Sequence, residues 1–487
     1  MQRKFLGNLI LLQALNWAIK PLWIFWIERT AQVHLGDDWY GRYFVIFNFG
    51  LLFNILLDFG LNNFVASRVG ESGSLESVKP VLRLRMWLAG IYVLLVAGMG
   101  LFQAFDPALL MLVLLNQILA GFILYFRAVL QGRHLFRTDS IVSVTDRLIA
   151  ISLMAVFLCS HAFAGRQGLL WFLGAQTAGY AVALLVSVYY SRKGVEPVGA
   201  VSGFNWRELM QQTAWFALLA FAMSVFTRID ALMIRNLTQG SDATGAVGYA
   251  EAGRYARAFR LLDAALIFSS LIATQLLPIF SRMLAKKENT DGLLWLNTRI
   301  VLFVALPAAL AATYFGAAVW SLMYGKVSMG CGLTGMGSLF RFLLTCFVPM
   351  ALVHIFGTWL TAAGRLRFLA IVAIAAMALN VACNFMFIPR WGAGGAAISC
   401  LITQCFFAVA CIVQCFRLGA MQISWQRALL LSVWVLGAEC CFGLWYRAGE
   451  SFTFLLAAGA TYLCFSLVCG IFWPEIRKMM RRGVPGM

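Results

Sequence analysis

Hydrophobic stretches long enough to cross a membrane recur about fourteen times along this chain. A membrane helix needs about 20 apolar residues. Such stretches fall near 5–27, 40–66, 81–103, 109–131, 140–163, 168–190, 208–236, 246–281, 297–323, 336–361, 366–388, 393–416, 427–446 and 451–473. The expected class is an all-α polytopic membrane protein with about fourteen transmembrane helices. The eighth stretch is too long for one straight apolar helix, so its first turns are expected outside the hydrocarbon or along a cavity.

The rest of the composition agrees. Of the 487 residues, 62% are hydrophobic and 12% charged, where a soluble protein is nearer about 25% charged. The longest polar stretches, 191–207 and 284–296, read as connecting loops and are too short to fold alone. Gly325-Lys326 is followed by Val327 and has no upstream glycine, so no phosphate-binding loop of the Walker type is present. A net charge of +18 would suit nucleic acid, but the charge is spread over loops between apolar spans. Membrane topology predicts that pattern, and membrane lipids, above all an anionic lipid surface, are its natural partner. Nucleic acid is not expected as a partner. The twelve cysteines show no metal spacing and no Cys-x-x-Cys; they read as small polarizable packing residues. The four histidines are scattered, and no metal or cofactor is expected. Residues 5–27 are longer than a signal-peptide core and lack a small-residue cleavage site, so they read as the first span.

Lys and Arg fall unevenly in the gaps. One alternating set of gaps holds 24 of the 38, the other holds 7, and 7 lie inside apolar stretches. Cytoplasmic loops carry the excess of basic residues, so both termini are expected in the cytoplasm with an even number of spans. Spans one to six end near residue 190 and spans seven to twelve near 416. The expected division is an N-lobe over 1–200, a C-lobe over 201–418, and a final helix pair with its tail over 419–487. A shift of 208 residues lays Lys20 over Arg228, which fits two repeated bundles with a site between them.

The basic residues inside spans are Lys20, Arg127, Arg228, Arg254, Arg257, Arg260 and Arg341. A cation in hydrocarbon costs roughly 2.5–3.5 kcal/mol on insertion scales, so such residues face protein or a watery cavity. Lys20 precedes Pro21, which is expected to kink the first helix. Arg228 and Asp230 are two residues apart and point to different sides of their helix, so each needs a partner from elsewhere. Glu251, Arg254, Arg257, Arg260 and Asp263 recur every third residue. Their row drifts about 60° per member, and the three arginines rise about 9 Å over an arc of about 120°. Such guanidinium forks suit bidentate phosphate contacts. The bland alternative is two local ion pairs, Glu251–Arg254 and Arg260–Asp263, which leaves Arg257 outside any pairing within the row. The expected cationic cavity is lined by Lys20, Arg228, Arg254, Arg257 and Arg260. Asp58, Asp230, Glu251 and Asp263 are candidates for coupling to H+ or Na+. Arg127 and Asp146-Arg147 are expected to pair structurally or to meet lipid headgroups, and Arg341 reads as interfacial.

At these residues the chain resembles the Wzx-type oligosaccharide flippases of the multidrug/oligosaccharidyl-lipid/polysaccharide exporter superfamily. The matching stretches are Tyr40-Gly41 through Asp58-Phe59-Gly60-Leu61, Phe126-Arg127 through Gly132 and on to Asp146-Arg147, Arg228-Ile229-Asp230, Arg260-Leu261-Leu262-Asp263 with Leu277-Pro278-Ile279-Phe280, and Ile388-Pro389 through Ala397. Each is loose alone; their order and spacing carry the likeness over most of the chain. The resemblance implies a V-shaped pair of six-helix lobes around a cationic cavity, plus two extra C-terminal helices. It implies a cargo of undecaprenyl-pyrophosphate-linked glycan, turned from the inner to the outer leaflet of a bacterial cytoplasmic membrane for cell-surface polysaccharide synthesis. It implies no enzyme, and polysaccharide polymerase or ligase proteins as partners. Related peptidoglycan-precursor flippases carry basic residues on their first and eighth helices, which by analogy supports Lys20 and the Arg254–Arg260 row. The drug-exporting branch relies on an acid in its first helix, where this chain has Lys20. An ion-coupled antiporter for drugs or small molecules is the competing reading. A membrane glycan polymerase or glycosyltransferase, resting on Asp37-Asp38 alone, is the weakest.

Overall fold

The computed structural model describes residues 21–58, 78–158, 163–193, 206–238, 245–325, 335–422 and 424–469, with isolated positions at 19, 61, 62, 65, 66 and 69. Among the described residues all regular secondary structure is helical, joined by short turns. A π-turn, Trp23–Glu28, leads into α1 (Arg29–Leu52) and the single turn α2 (Ile55–Asp58). Then come α3 (Lys79–Phe102), α4 (Pro107–Gly132), α5 (Phe136–Leu158), α6 (Gly165–Arg192) and α7 (Trp206–Leu237). The second half holds α8 (Ala246–Ala285), α9 (Asp291–Tyr314), α10 (Gly316–Tyr324), α11 (Met336–Thr345), α12 (Phe347–Ala362), α13 (Leu366–Arg417), α14 (Trp425–Ala448) and α15 (Phe452–Val468). Among the described residues, ten helices are long and apolar enough to cross a membrane. Two helices contain sharp breaks. Gly36 has φ 72° inside α1, and Gly392 has φ 53° inside α13. Both values lie in the left-handed region that a residue without Cβ enters freely. The break at Gly392 separates the eleventh and twelfth spans where the hydropathy places them.

Local chemistry explains where the helices begin. Asp106 caps α4 by accepting from the backbone N–H of Ala108 at 2.9 Å and of Leu109 at 3.4 Å, with Pro107 in the first turn. Ser424 caps α14 through the N–H of Arg427. Pro80 opens α3. Between these ends the apolar faces turn outward. Trp87, Leu94 and Phe102 of α3 are 76%, 77% and 92% exposed. No soluble helix leaves such a row in water, and lipid is the solvent that accepts it. The chain is a multi-pass membrane protein.

Several spans depart from the hydropathy. The first helical segment does not stop at residue 27; it runs on through Leu35 to Gly36, and Glu28 lies buried within it. The second is interrupted at Phe53–Asn54 before α2, and the Oγ of Ser224 on α7 donates to the Leu51 carbonyl at 2.8 Å, satisfying an acceptor beside that interruption. The ninth ends at Tyr314, and Phe315 turns the chain into the short α10. Beside Pro21 the distortion is the π-turn itself, a usual form for a local defect in a helix.

The chain packs as two compact units, Met1–Ala256 and Arg257–Met487. In the first, α4, α5 and α6 pack on one another, and α1 lies against α4, α6 and α7. Small residues let backbones approach closely there, as membrane helices require. A Cβ on Gly41 of α1 would lie 1.9 Å from the Tyr249 carbonyl oxygen of α8, and one on Gly253 would lie 2.0 Å from that of Asp37. Replacement of either glycine by alanine is expected to destabilise the first unit by about 1–3 kcal/mol, the usual cost of overpacking, because the obstacle is backbone. Thermal unfolding of the purified protein checks this, with Gly90→Ala, where a Cβ meets nothing within 4 Å, as the contrast. In the second unit, α13 packs on α11 and α12, and α9 lies against α11, α12 and α14. Trp434, Phe442 and Tyr462 anchor the last two helices to Leu302, Leu310 and Phe315.

Asp106 also accepts from the Arg166 Nε at 2.8 Å. That hydrogen bond, first among the causes, holds the Asp106 carboxyl below the usual carboxylate range. A depressed value means stabilisation that is present above the unfolded value and is lost as pH falls through the folded one. The pair is largely solvent-exposed, so its contribution is small and screened by salt. Thermal scans between neutral pH and about pH 3 should therefore show a shallower acid-side loss for Asp106→Asn than for the parent protein.

Candidate functional site

The third-residue row lies on α8, where hydrophobic packing fixes its orientation. Ala252, Tyr255, Ala256, Ala258, Phe259 and Leu262 are buried, each no more than 3% exposed. Glu251, Arg254, Arg257, Arg260 and Asp263 alternate with them and all remain half-buried. The row is therefore the one polar face left open on a stretch of helix otherwise sunk in protein. The side chains of Arg254 and Arg260 keep 30% and 13% exposure.

Both local ion pairs are present. Arg254 Nη1 contacts Glu251 Oε1, and Arg260 Nη1 reaches Asp263 Oδ2 at 3.2 Å. Arg257 lies over the Tyr324 ring at 5.6 Å from its centre, while the Tyr324 hydroxyl donates to the Arg257 carbonyl at 3.3 Å. The three arginines thus stand in sequence along one face, two with carboxylates in the row and one against an aromatic ring. A guanidinium presents its five donors as a planar fork, the arrangement that matches the oxygens of an anionic ligand.

Asp230 on α7 is buried, and its Oδ2 accepts from the Tyr255 hydroxyl of α8 at 2.8 Å. The partner from another helix that the sequence required is this tyrosine. Arg228 is half-buried on the same helix. Lys20 lies outside the described residues. Arg127 pairs structurally, as expected, and its partner is Asp139, whose Oδ1 lies 2.6 Å from the Arg127 Nε. Arg147 stacks on Trp23 at 4.9 Å and also lies beside Asp146 at 3.5 Å. Arg341 is exposed and stacks on Phe342.

Asp58 belongs to a different place. It lines a cavity of about 140 Å³ inside the first unit, together with Asn54, Arg85, Asn116, Gln117 and Gln176 among others. Arg85 is 1% exposed, and its Nη1 donates to Asn62 Oδ1 at 2.8 Å. Sequence reasoning assigns Arg85 to a polar gap. Pro80 was the available signal: it starts the helix early, which puts Arg85 nearly two turns inside. Arg299, also read as a gap residue, is 2% exposed and lies near the Trp295 ring within α9.

A family model described as "Polysaccharide biosynthesis protein" matches residues 10–284. No curated protein sequence matches significantly. Among solved structures the chain is similar to the lipid II flippase MurJ in an inward closed conformation, with a TM-score of 0.68 at 13% identity, covering 96% of this chain and 99% of that one. It is similar to a multidrug resistance MATE family transporter of the MOP superfamily in its inward-facing conformation, with a TM-score of 0.59 at 14% identity over 84% of this chain and 98% of the other. The outward-facing form of a MATE family transporter gives 0.57 at 14% identity over 86% and 96%. At these identities the likeness is one of fold.

Proposed function

Since the chain belongs to the polysaccharide biosynthesis protein family, we propose that it is a flippase. Its cargo is undecaprenyl-pyrophosphate-linked oligosaccharide, moved by alternating access from the inner to the outer leaflet of the bacterial cytoplasmic membrane. Both termini are cytoplasmic in this reading, and the working bodies are the lobes 1–200 and 201–418, with 419–487 appended. The observation that carries it is the arginine row on α8, a half-buried polar face on a stretch of that helix whose neighbouring residues are buried. A diphosphate offers several anionic oxygens, which Arg254, Arg257 and Arg260 can share as bidentate contacts, with Lys20 and Arg228 adding to the field. Glu251 and Asp263 then act as stand-ins: they hold Arg254 and Arg260 in place when no anion is bound and release them to one. The protein forms and breaks no covalent bond in this scheme. The pyrophosphate is held on the charged row, the sugar crosses in water, and the lipid tail stays in the bilayer. Coupling to an ion through Asp58, Asp230, Glu251 or Asp263, and docking of polymerase or ligase proteins, belong to the same reading.

The test is direct. Purified protein is reconstituted in vesicles carrying the lipid-linked oligosaccharide, and exposure of its sugar to an impermeant glycosidase is followed over time. Protein-dependent exposure of the inner pool is the expected result; exposure no faster than in empty vesicles overturns the reading.

One observation favours the antiporter reading: Glu28 is buried at 4% exposure in the first helical segment, where drug exporters of this fold keep an acid. Its carboxylate, however, accepts from the Tyr40 hydroxyl at 2.8 Å and lies in the field of Arg147. A carboxylate already hydrogen-bonded to a phenol and lying in the field of a guanidinium is a poor receptor for an organic cation. Efflux assays in a drug-susceptible host separate the two readings.

A further inference from the structure

The cavity inside the first unit collects three buried polar atoms without hydrogen-bond partners: Asp58 Oδ1, Arg85 Nη2 and Gln176 Nε2. They come from three different helices, α2, α3 and α6, and face one space of about 140 Å³. Buried polar groups rarely stay unsatisfied, and such a volume holds several waters, each of which needs two to four polar partners. Among the described residues Asp58 and Arg85 make no direct ion pair, although they interact through the field across the chamber. Water bridging the two charges satisfies both, and the Gln176 amide as well.

The same inventory decides what else could enter. The unsatisfied set is two N–H donors and one oxygen. Asn116 Oδ1 is already engaged by Thr177 at 2.7 Å, and Gln117 Oε1 by the Tyr92 hydroxyl. A metal cation needs several oxygen ligands and would share the chamber with a fixed guanidinium. A free anion would meet the Asp58 carboxylate. Neither fits, whereas a proton needs only one oxygen and a water to deliver it.

We propose that Asp58 is a reversible proton site, served by water in this chamber and held opposite Arg85. A hydronium delivered through the chamber water gives its proton to Asp58 Oδ1, one O–H bond breaking on the hydronium as one forms on the carboxyl and leaving neutral water; release reverses the step, and Arg85 keeps its charge throughout. Asn54, exposed at the rim, marks the way in. The groups that face Asp58 are Arg85 from α3, Tyr43 from α1 and Tyr180 from α6. The chamber lining from α4 is uncharged, and α7 contributes nothing to it. Asp58 accepts one backbone hydrogen bond, from Asn62, and keeps Oδ1 without one, whereas the other three carboxylates proposed for coupling each contact a side chain, Arg254, Arg260 or Tyr255. The interruption of the second span at Phe53–Asn54 adjoins the chamber, so the charge state of Asp58 sits where that helix bends.

The consequence for transport rests on the flippase reading; the protonation itself does not, and it is measured without cargo. Infrared difference spectra of the full chain in lipid vesicles, taken on stepping the pH, should contain a protonated-carboxyl C=O band that is absent in Asp58→Asn. Sodium at constant pH and ionic strength should leave that band in place. An unchanged band in Asp58→Asn, or its displacement by sodium, overturns the proposal. The water-bridged pair has its own check. Asp58→Asn and Arg85→Gln should each lower thermal stability, and the double variant should recover most of the loss, since it leaves no lone buried charge. Additive losses in the double variant would remove Arg85 from the site. Loss of flipping in Asp58→Asn with the band present in the parent supports coupling. Flipping unchanged in Asp58→Asn would separate the proton site from transport and overturn its place in the cycle.

Discussion

Replacing Arg254, Arg257 and Arg260 together with alanine is expected to reduce flipping at least about a hundredfold while the protein still inserts and folds. The size follows from the contacts removed. A charge-assisted hydrogen bond contributes about 1.5–3 kcal/mol, and three guanidinium groups on a diphosphate exceed the roughly 2.7 kcal/mol that a hundredfold change requires. Folding survives because the row lies on the open side of α8; the buried residues that hold the helix, Tyr255, Phe259 and Leu262 among them, are untouched. Glu251 and Asp263 would lose their partners, but both are half-buried and reach water. The single variants separate the roles. Arg257→Ala should weaken transport by removing the guanidinium that lies over the Tyr324 ring, whereas Arg254→Ala and Arg260→Ala each also break an ion pair within the row. Rates are compared at equal protein per vesicle in the glycosidase-accessibility assay, with folding checked by thermal unfolding. A triple variant that transports at the parental rate removes the arginine row from the site.

How much of this was legible in the sequence differs by scale. Hydropathy located the helices well because membrane spans must be apolar over a fixed length, and that constraint is written residue by residue. It failed at Gly36, Phe53 and Phe315, where backbone geometry, and not transfer energy, decides where a helix bends. The third-residue row was readable because helical periodicity alone fixes which residues share a face. The same periodicity offered the two local ion pairs as the bland alternative to a cavity lining, and both pairs are present. The chamber was not readable. Asp58 was visible as an acid in a span, but its opposite charge, Arg85, lies 27 positions along the chain and arrives through packing of separate helices. Gln176 joins from α6, and nothing in a one-dimensional pattern links it to either. Counting Arg85 and Arg299 as loop residues was the corresponding error: an apolar run ends where hydropathy falls, yet the helix carrying it continues, and a neighbouring helix can bury the cation beyond.

The same limit governs the partner of Arg127, and it makes a stability prediction of comparable weight. The sequence offered Arg127 structural pairing or a lipid headgroup without naming a partner; the fold supplies Asp139, at the start of α5 across the tight turn that follows α4. Asp139 is 1% exposed and fully engaged, accepting from Arg127 through Nε at 2.6 Å and Nη2 at 3.4 Å and from Gln131 at 2.9 Å. Its place in the first turn of α5 also sets a negative charge at the positive end of that helix. Removing it strands a guanidinium whose side chain is 21% exposed. Breaking a buried pair from one side costs about 3–5 kcal/mol; partial exposure of Arg127 puts Asp139→Ala near the lower end, at about 3 kcal/mol. Removing both partners should cost less than removing Asp139 alone, because no charge is then left unpaired. Thermal unfolding of Asp139→Ala, Arg127→Ala and the double variant reads both statements. A loss below about 1 kcal/mol in Asp139→Ala, or strict additivity in the double, would mean that the α4–α5 turn is held by helix packing and that the fork between Arg127 and Asp139 contributes little.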